Sequence, residues 1–289
     1  MDNKRIRFTG RIKWRNYSLD FTGRTLVMGI LNVTPDSFSD GGLFFDKDKA
    51  VAQGIRLFEE GADIIDVGGE STRPGAKNID SEEQIRRVTP VISELAKKIS
   101  IPISIDTRLS SVAQAAIDVG ASIINDISAL QFDNKLAELA AKHNLPVILM
   151  HMQGNPETMQ INPHYQNVVQ DIKKFLNNRI EFAIKSNIDK SKIIIDVGIG
   201  FGKKIAENYL LIDNIEEFYD FNVPVLVGHS RKSFISKTLE IDDISERDDV
   251  TLAISGILAY KKVHILRVHN VKSTRLACEM IYNLTKEKI

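Results

Sequence analysis

Asp63-Ile64-Ile65-Asp66-Val67-Gly68-Gly69-Glu70-Ser71-Thr72-Arg73 is a short β-branched apolar run that passes into a glycine-rich polar loop, and the same unit recurs along the chain. Strand candidates stand at Leu26 to Leu31, Asp63 to Val67, Ile103 to Asp106, Ser122 to Asn125, Pro146 to Met150, Ile193 to Asp196, Pro224 to Val227 and Ile265 to Val268. Between them lie helical patterns at Asp46 to Glu60, Ser81 to Lys98, Ser110 to Val119, Asn134 to His143, Tyr165 to Ser186, Ala206 to Phe218, Arg247 to Lys261 and Val271 to Lys286. Strands alternating with helices of this length belong to a parallel sheet. Eight units in about 265 residues match a closed (β/α)8 TIM barrel, whose typical size is ~250 residues. A doubly wound open sheet is the alternative. The expected architecture is therefore α/β, one domain over residues 1–289, with the barrel starting near residue 25. Phe8-Thr9-Gly10 and Phe21-Thr22-Gly23 read as the turns of a short N-terminal β-hairpin that caps the barrel bottom.

Composition narrows the function classes. The 289 residues are 43% hydrophobic and 26% charged, with 38 basic side chains against 38 acidic ones. A neutral, interleaved charge pattern carries no footprint for nucleic acid or for an anionic membrane surface, so any bound anion must be caught locally. No window approaches the ~20 apolar residues of a membrane span, and no apolar stretch follows the polar start Met1 to Arg7, so no secretory signal is read. The lone Cys278 excludes an intramolecular disulfide, and the expected compartment is the cytoplasm.

Barrel enzymes gather their chemistry at the C-terminal ends of the strands. Here those ends carry Asn32, Asp66, Asp106, Asn125 with Asp126, His151, Asp196, His229 to Lys232, and Arg267 with His269. Any one of these acids reads equally well as a helix N-cap, but capping alone does not explain eight polar endings. The loop from Gly29 to Gly42 is longer than an ordinary βα connection and reads as an active-site lid or a plain surface loop. Arg73 among small residues suits a phosphate. Gly198-Ile199-Gly200-Phe201-Gly202-Lys203-Lys204 is one residue short of a phosphate loop and also fails the dinucleotide pattern, which leaves a glycine-rich turn or a ligand-approach loop. Ser230-Arg231-Lys232-Ser233 opens a helix, where N–H groups favour an anion. With Arg73, Arg267 and His269 it collects cations at the barrel mouth, opposite Asp106, Asn125 and Asp196, which suit a flat nitrogen heterocycle. His143, His164 and His264 read as surface or loop residues, with no zinc spacing, and no G-x-S-x-G nucleophile elbow is present.

From about Leu26 to Leu276 these motifs, in order, resemble the dihydropteroate synthase family. The resemblance rests on Gly29 to Gly42, Gly68 to Ala76, Ser104 to Thr107, Ile123 to Ile127, Asp196 to Lys203, Gly228 to Lys232 and Arg267 to Val271. It implies a (β/α)8 fold and a folate-pathway transferase of an alkyl group other than methyl, of the class targeted by sulfonamides. The implied reaction condenses 6-hydroxymethyl-7,8-dihydropterin diphosphate with 4-aminobenzoate to give 7,8-dihydropteroate and diphosphate. Carried over motif by motif, Asp106, Asn125, Asp196 and Lys232 would hold the pterin. Asn32, Thr72, Arg73, Arg267 and His269 would bind the diphosphate, with Asn32 also the ligand to Mg²⁺. Phe38, Pro74, Phe201, Lys232 and Ser233 would form the 4-aminobenzoate pocket, and Asp36 and Thr72 would complete the closed state. Asp36, Arg73, Lys232, Arg267 and His269 are the implied catalytic set, and a homodimer formed through barrel helices is the implied assembly.

The chain departs from the family pattern at Val197, where proline is usual, and at Asn270, where aspartate is common. Val197 loosens the loop it opens, and Asn270 removes a negative charge near the diphosphate. Two rival readings remain: a methyltetrahydrofolate:corrinoid methyltransferase, which has no need of the cation cluster, and a non-catalytic pterin-binding protein.

Overall fold

A computed structural model describes residues 7–34, 46–71, 75 and 79–286, and its strands follow the expected order. The hairpin strands β1 (Arg11–Trp14) and β2 (Tyr17–Asp20) come first. Then β3 (Leu26–Asn32), β4 (Ile64–Gly68), β5 (Ile103–Asp106), β6 (Ile123–Asp126), β7 (Val147–Met150), β8 (Ile193–Asp196), β9 (Val225–Val227) and β10 (Ile265–Val268) form a closed parallel barrel. It closes where β10 pairs with β3, Ile265 opposite Leu26 and Val268 opposite Gly29. Strands β6, β7 and β8 are buried along their whole length, since one face fills the barrel and the other packs under helices.

The helices are α1 (Lys47–Glu59), α2 (Ser81–Lys98), α3 (Ser110–Asp118), α4 (Lys135–His143), α5 (Val168–Lys185), α6 (Ile205–Asp213), α7 (Ser233–Leu239), α8 (Ile244–Tyr260) and α9 (Val271–Thr285). Helix α2 shows why such segments form. The Asp80 carboxylate caps it by accepting from Glu83 N at 2.8 Å, and Val88, Val91, Ile92 and Leu95 make one buried face. Two segments differ from expectation. The stretch read as one helix up to Phe218 ends at Asp213, where Asn214 turns its amide back onto Leu210 O (2.8 Å), and continues as a 3₁₀ segment, Ile215–Phe221. Helix α8 starts before Arg247 because the Asp243 carboxylate accepts from Ser245 N at 2.7 Å and Glu246 N at 3.2 Å, and the shorter α7 precedes it.

The hairpin does sit at the N-terminal end of the barrel, where Arg15 Nη1 donates to Ala121 O (3.1 Å) just before β6. Its reversal, however, is at Arg15 and Asn16, with Arg15 in the left-handed region at φ 45°. The two Phe-Thr-Gly segments flank it and meet through Phe21 N donating to Gly10 O at 3.1 Å. Beneath them lies His264, read from the sequence as a surface or loop residue; it stands in the connection just before β10 but is fully buried. Its Nδ1 accepts from Val225 N (2.9 Å), Nε2 donates to Phe8 O (3.1 Å), and Phe21 and Tyr219 meet its ring edge to face. His264 thus welds β9, β10 and the hairpin.

Burial, helped by the charge of Arg7, pushes the His264 imidazole down to about 3, so the native state holds it neutral. An unfolded histidine titrates near 6.5, so the stability from this site is complete above that pH and falls by about 1.4 kcal/mol per pH unit below it, down to the folded value. Urea unfolding of wild type and His264→Gln at pH 7.5 and pH 5 is expected to show the wild-type advantage shrinking at the lower pH.

Candidate active site

One carboxylate organises the C-terminal mouth of the barrel. Asp66, in the middle of the apolar strand β4, is fully buried. Its Oδ2 accepts from Arg267 Nε at 2.6 Å and from Asn125 Nδ2 at 3.1 Å. Arg267 stands on β10, which does not neighbour β4 or β5, so its side chain reaches through the barrel interior, where Nη2 also donates to Asp106 Oδ2 at 2.9 Å. The register supports the cluster: Gly68 lies opposite both Asn32 and Asp106, and Asp106 lies opposite Asn125. Gly68 keeps this corner open, since a Cβ there would sit 3.8 Å from Asp106 Oδ2 and 3.9 Å from Asn32 Oδ1.

The charges here are tuned by burial. Burial pushes the Asp106 carboxyl up to about 7, with Asp66 and Asp126 adding to the rise while Arg267 and Lys232 oppose it. Burial likewise lifts Asp196 to about 6, against the Gly198 N–H that donates to its Oδ1 at 2.7 Å and the nearby Lys232, Arg267 and Lys203 charges. For Arg267, burial works against the charge, but Asp66 and Asp106 outweigh it and raise the guanidinium, which stays a fixed cation. Strongly shifted groups around a fixed cation mark a candidate functional site.

The wall after β8 is the glycine-rich segment. Gly198, Gly200 and Gly202 have φ of 69°, 80° and 60°, a region open to glycine at no steric cost. Lys203 folds into the turn so formed, and its Nζ donates to Gly198 O (2.7 Å), Phe201 O (2.9 Å) and His151 Nδ1 (3.0 Å). Burial pushes this ammonium down to about 7, with Lys232 adding to the fall and Asp196 and Glu207 opposing it. Burial and the Lys203 charge keep His151 neutral, so it meets Lys203 as an acceptor. On the outer side of the turn, the Lys232 ammonium lies 3.9 Å from the centre of the Phe201 ring, a cation–π contact that aims it at the mouth.

After β9 and β10 the same convergence continues. The Ser230 hydroxyl accepts from His269 N (3.3 Å) and hydrogen-bonds His269 Nδ1 (2.9 Å), which fixes the imidazole on the rim. Arg231 does not join the cation cluster, contrary to the sequence reading. It is left-handed at φ 57° and forms a bidentate pair with Asp248 at 2.7 Å for both bonds, so it anchors α8. His229 is turned away as well, bonding Ser255 Oγ (2.9 Å) and Thr251 O (3.2 Å) on α8.

The structure therefore joins Asp106, Asn125 and Arg267 through Asp66 and brings the charges of Asp196 and Lys232 close to them. Asn32 stands at the tip of β3 and His269 just past the end of β10, on the same rim. Phe201 and Ser233 flank Lys232, Ser233 as the first residue of α7. Asp36, Phe38, Thr72, Arg73 and Pro74 lie outside the described residues. Asn270 caps α9 by accepting from Ser273 N (3.2 Å), a role an amide fills as well as a carboxylate, and Val197 is fully buried in the core. Sequence reasoning missed Asp66 and Lys203 as organisers. An acid inside an otherwise apolar strand was the available signal for the first; nothing marked the second.

A family model described as "Pterin binding enzyme" matches residues 28–269. Dihydropteroate synthase of Haemophilus influenzae is 47% identical over 248 residues, covering 86% of this chain and 90% of that protein. Among solved structures, a Yersinia pestis dihydropteroate synthase in complex with a sulfonamide drug superposes with a TM-score of 0.90 at 42% identity, covering 96% of this chain and 99% of the other. The Xanthomonas albilineans dihydropteroate synthase with 4-aminobenzoic acid gives 0.89 at 40% identity, covering 96% and 98%. With a barrel closed in the same way and likeness running over nearly its whole length, the chain belongs to the dihydropteroate synthase family of pterin-binding enzymes.

Proposed function

We propose that the whole chain acts as one domain that condenses 6-hydroxymethyl-7,8-dihydropterin diphosphate with 4-aminobenzoate, giving 7,8-dihydropteroate and diphosphate. The observation that carries this reading is the buried network of Asp66, Asp106, Asn125 and Arg267, in which hydrogen-bonding acids and a fixed cation are joined at the ends of the barrel strands. An aminopyrimidine edge offers two N–H groups side by side, as a guanidinium does, and a carboxylate at Asp196 accepts both. Asp106, Asn125 and Lys232 serve the rest of the ring.

Arg267 and His269, with Arg73, Thr72 and Asn32, receive the diphosphate. Loss of diphosphate from the methylene carbon puts negative charge on the leaving group, where fixed cations stabilise it most, and leaves positive charge that the electron-rich pterin ring shares. The arylamine then attacks that carbon from a pocket of Phe201, Lys232 and Ser233 with Phe38 and Pro74, and Asp36 completes the closed state. No covalent nucleophile is required.

Asn32 suits Mg²⁺. Its amide oxygen is a hard donor beside the diphosphate position, and among the described residues no group of three or more His, Cys, Asp or Glu could hold a metal alone. Mg²⁺ keeps several waters and takes its other ligands from substrate phosphates, which fits a protein that offers one oxygen. When bound it supplies further positive charge to the leaving oxygens.

The partners we assign are the two small substrates and a second copy of the chain. Ile257 and Tyr260 on α8 and Leu276, Met280 and Leu284 on α9 are exposed apolar side chains on two helices packed together. Among the described residues no helix is long and apolar enough to cross a membrane, and the one cysteine is buried and free, in keeping with the cytoplasm.

The direct test follows diphosphate release and dihydropteroate formation with and without 4-aminobenzoate, and with EDTA in place of Mg²⁺. Release that depends on the arylamine and on Mg²⁺ and matches product one for one is expected; pterin binding without product would favour the methyltransferase or binding-only alternatives. Arg267→Ala and Lys232→Ala are each expected to lower kcat/KM by ~10²-fold or more, as loss of one preorganised electrostatic group does.

Asp106 and Asp196 must be ionised to accept from the pterin, and they sit at about 7 and about 6 in the free protein. The pH profile of kcat/KM for the pterin substrate should therefore fall on the acid side of neutrality, approaching about tenfold per pH unit or more below both values. A profile flat from pH 8 to pH 5 would contradict these roles.

A further inference from the structure

Lys203 bonds no side chain assigned to substrate and meets Phe201 only at its carbonyl, yet its buried ammonium is tied by three short hydrogen bonds. Its three ammonium hydrogens meet three acceptors, Gly198 O, Phe201 O and His151 Nδ1, with His151 O at 3.5 Å beyond them. Two of those acceptors belong to the loop after β8, and the third is the first residue after β7. The loops are also in direct backbone contact. A side chain at Gly198 would collide with His151 O, and one at Gly202 would come within 2.6 Å of Gln153 O. Gln160 Nε2 donates to Gly200 O (2.9 Å) and Tyr165 OH to Gly202 O (2.6 Å), both from the chain that follows β7.

The consequence reaches the substrate side. Phe201, whose carbonyl Lys203 holds, carries the Lys232 ammonium on its ring at 3.9 Å. Gly200 lies under the Lys232 stem so closely that a Cβ there would be 3.0 Å from Lys232 Cδ. A shift of this loop by a fraction of an ångström therefore moves both Phe201 and Lys232. Of the four pterin groups, Asp106 and Asn125 stand on β5 and β6 away from the strap, whereas Asp196 accepts from Gly198 N at the foot of the loop (2.7 Å) and Lys232 rests on Phe201.

We propose that Lys203 is a positioning residue that ties the loops after β7 and β8 into one rigid wall and thereby sets the placement of Phe201 and Lys232 against the incoming arylamine. This rests on the synthase reading above. It assigns Lys203 to the second substrate, although its sequence position beside Asp196 would assign it to the first.

The test is Lys203→Met, which keeps the length and volume of the side chain and removes its donors. Steady-state kinetics are read against both substrates, and the Kd of the pterin diphosphate is measured by equilibrium dialysis without arylamine. The expected result is a KM for 4-aminobenzoate raised about tenfold or more and a smaller rise, about threefold, in the pterin diphosphate Kd, because Asp196 and Lys232 meet the strap while Asp106 and Asn125 do not. An unchanged KM for 4-aminobenzoate, or a loss spread equally over both substrates, overturns the proposal. Should Lys203→Met not fold, His151→Phe decides: it keeps a ring against Phe175 and Tyr165 but deletes the acceptor, and the same split is expected of it. Wild-type protein run alongside separates the two readings. Turnover by wild type with no split in the variant overturns only the role of Lys203, whereas no turnover by wild type overturns the synthase reading itself.

Discussion

A guanidinium held inside the barrel by two carboxylates is the constraint on which the rest of the site depends. Arg267 crosses the interior from β10 to bind Asp66 and Asp106, so three strands far apart in sequence are joined through one side chain. Such a buried pair adds little to stability on balance, because desolvation offsets most of its attraction, while loss of one partner strands the other charge at a cost of about 3–5 kcal/mol. Its value lies in preorganisation. In the role proposed for Arg267, the cation is in place and desolvated before the leaving anion forms, so little reorganisation would remain for the reaction itself.

The two ends of the barrel divide the work. At the N-terminal end the hairpin, Phe21 and the neutral His264 form a largely apolar plug, tied down by the His264 bonds to Val225 N and Phe8 O. At the C-terminal end polar groups are buried in numbers that a purely structural core would avoid, and some are left without partners: Asp66 Oδ1 and Ser104 Oγ, neighbours across β4 and β5, have none among the described residues. Orphaned buried oxygens are costly, and they sit beneath the region where polar substrates would arrive.

The walls of that mouth are also unequal. The glycine-rich segment after β8 is fixed by the Lys203 ammonium, by direct backbone contact with the β7 loop and by two further side-chain bonds. Val197 sits fully buried at its base, and the Lys203 bonds hold the turn that the three left-handed glycines permit, so the segment is tied down without a proline. The aromatic face of Phe201 and the charge of Lys232 ride on that fixed wall.

What was determined by the sequence itself is the periodic part. Eight apolar runs alternating with helical stretches set a parallel sheet covered on both faces, their number matches a closed barrel over the open alternative, and polar endings on the same end of each run place the mouth. Ile103–Asp106, Ile193–Asp196 and Ile265–Val268 could be read to the residue, since a local apolar run and a polar stop define them. Only the tertiary structure decided which polar groups face one another. Arg231 and Lys232 are adjacent in sequence, yet one pairs with Asp248 on α8 and the other points into the site, because a single left-handed residue reverses their directions. His264 read as a loop histidine because its partners, Phe8 and Val225, are remote in sequence. Asp66 became a hub and Lys203 a strap for the same reason: a side chain's role is set by the partners that barrel closure brings to it, and those come from strands that no local pattern connects.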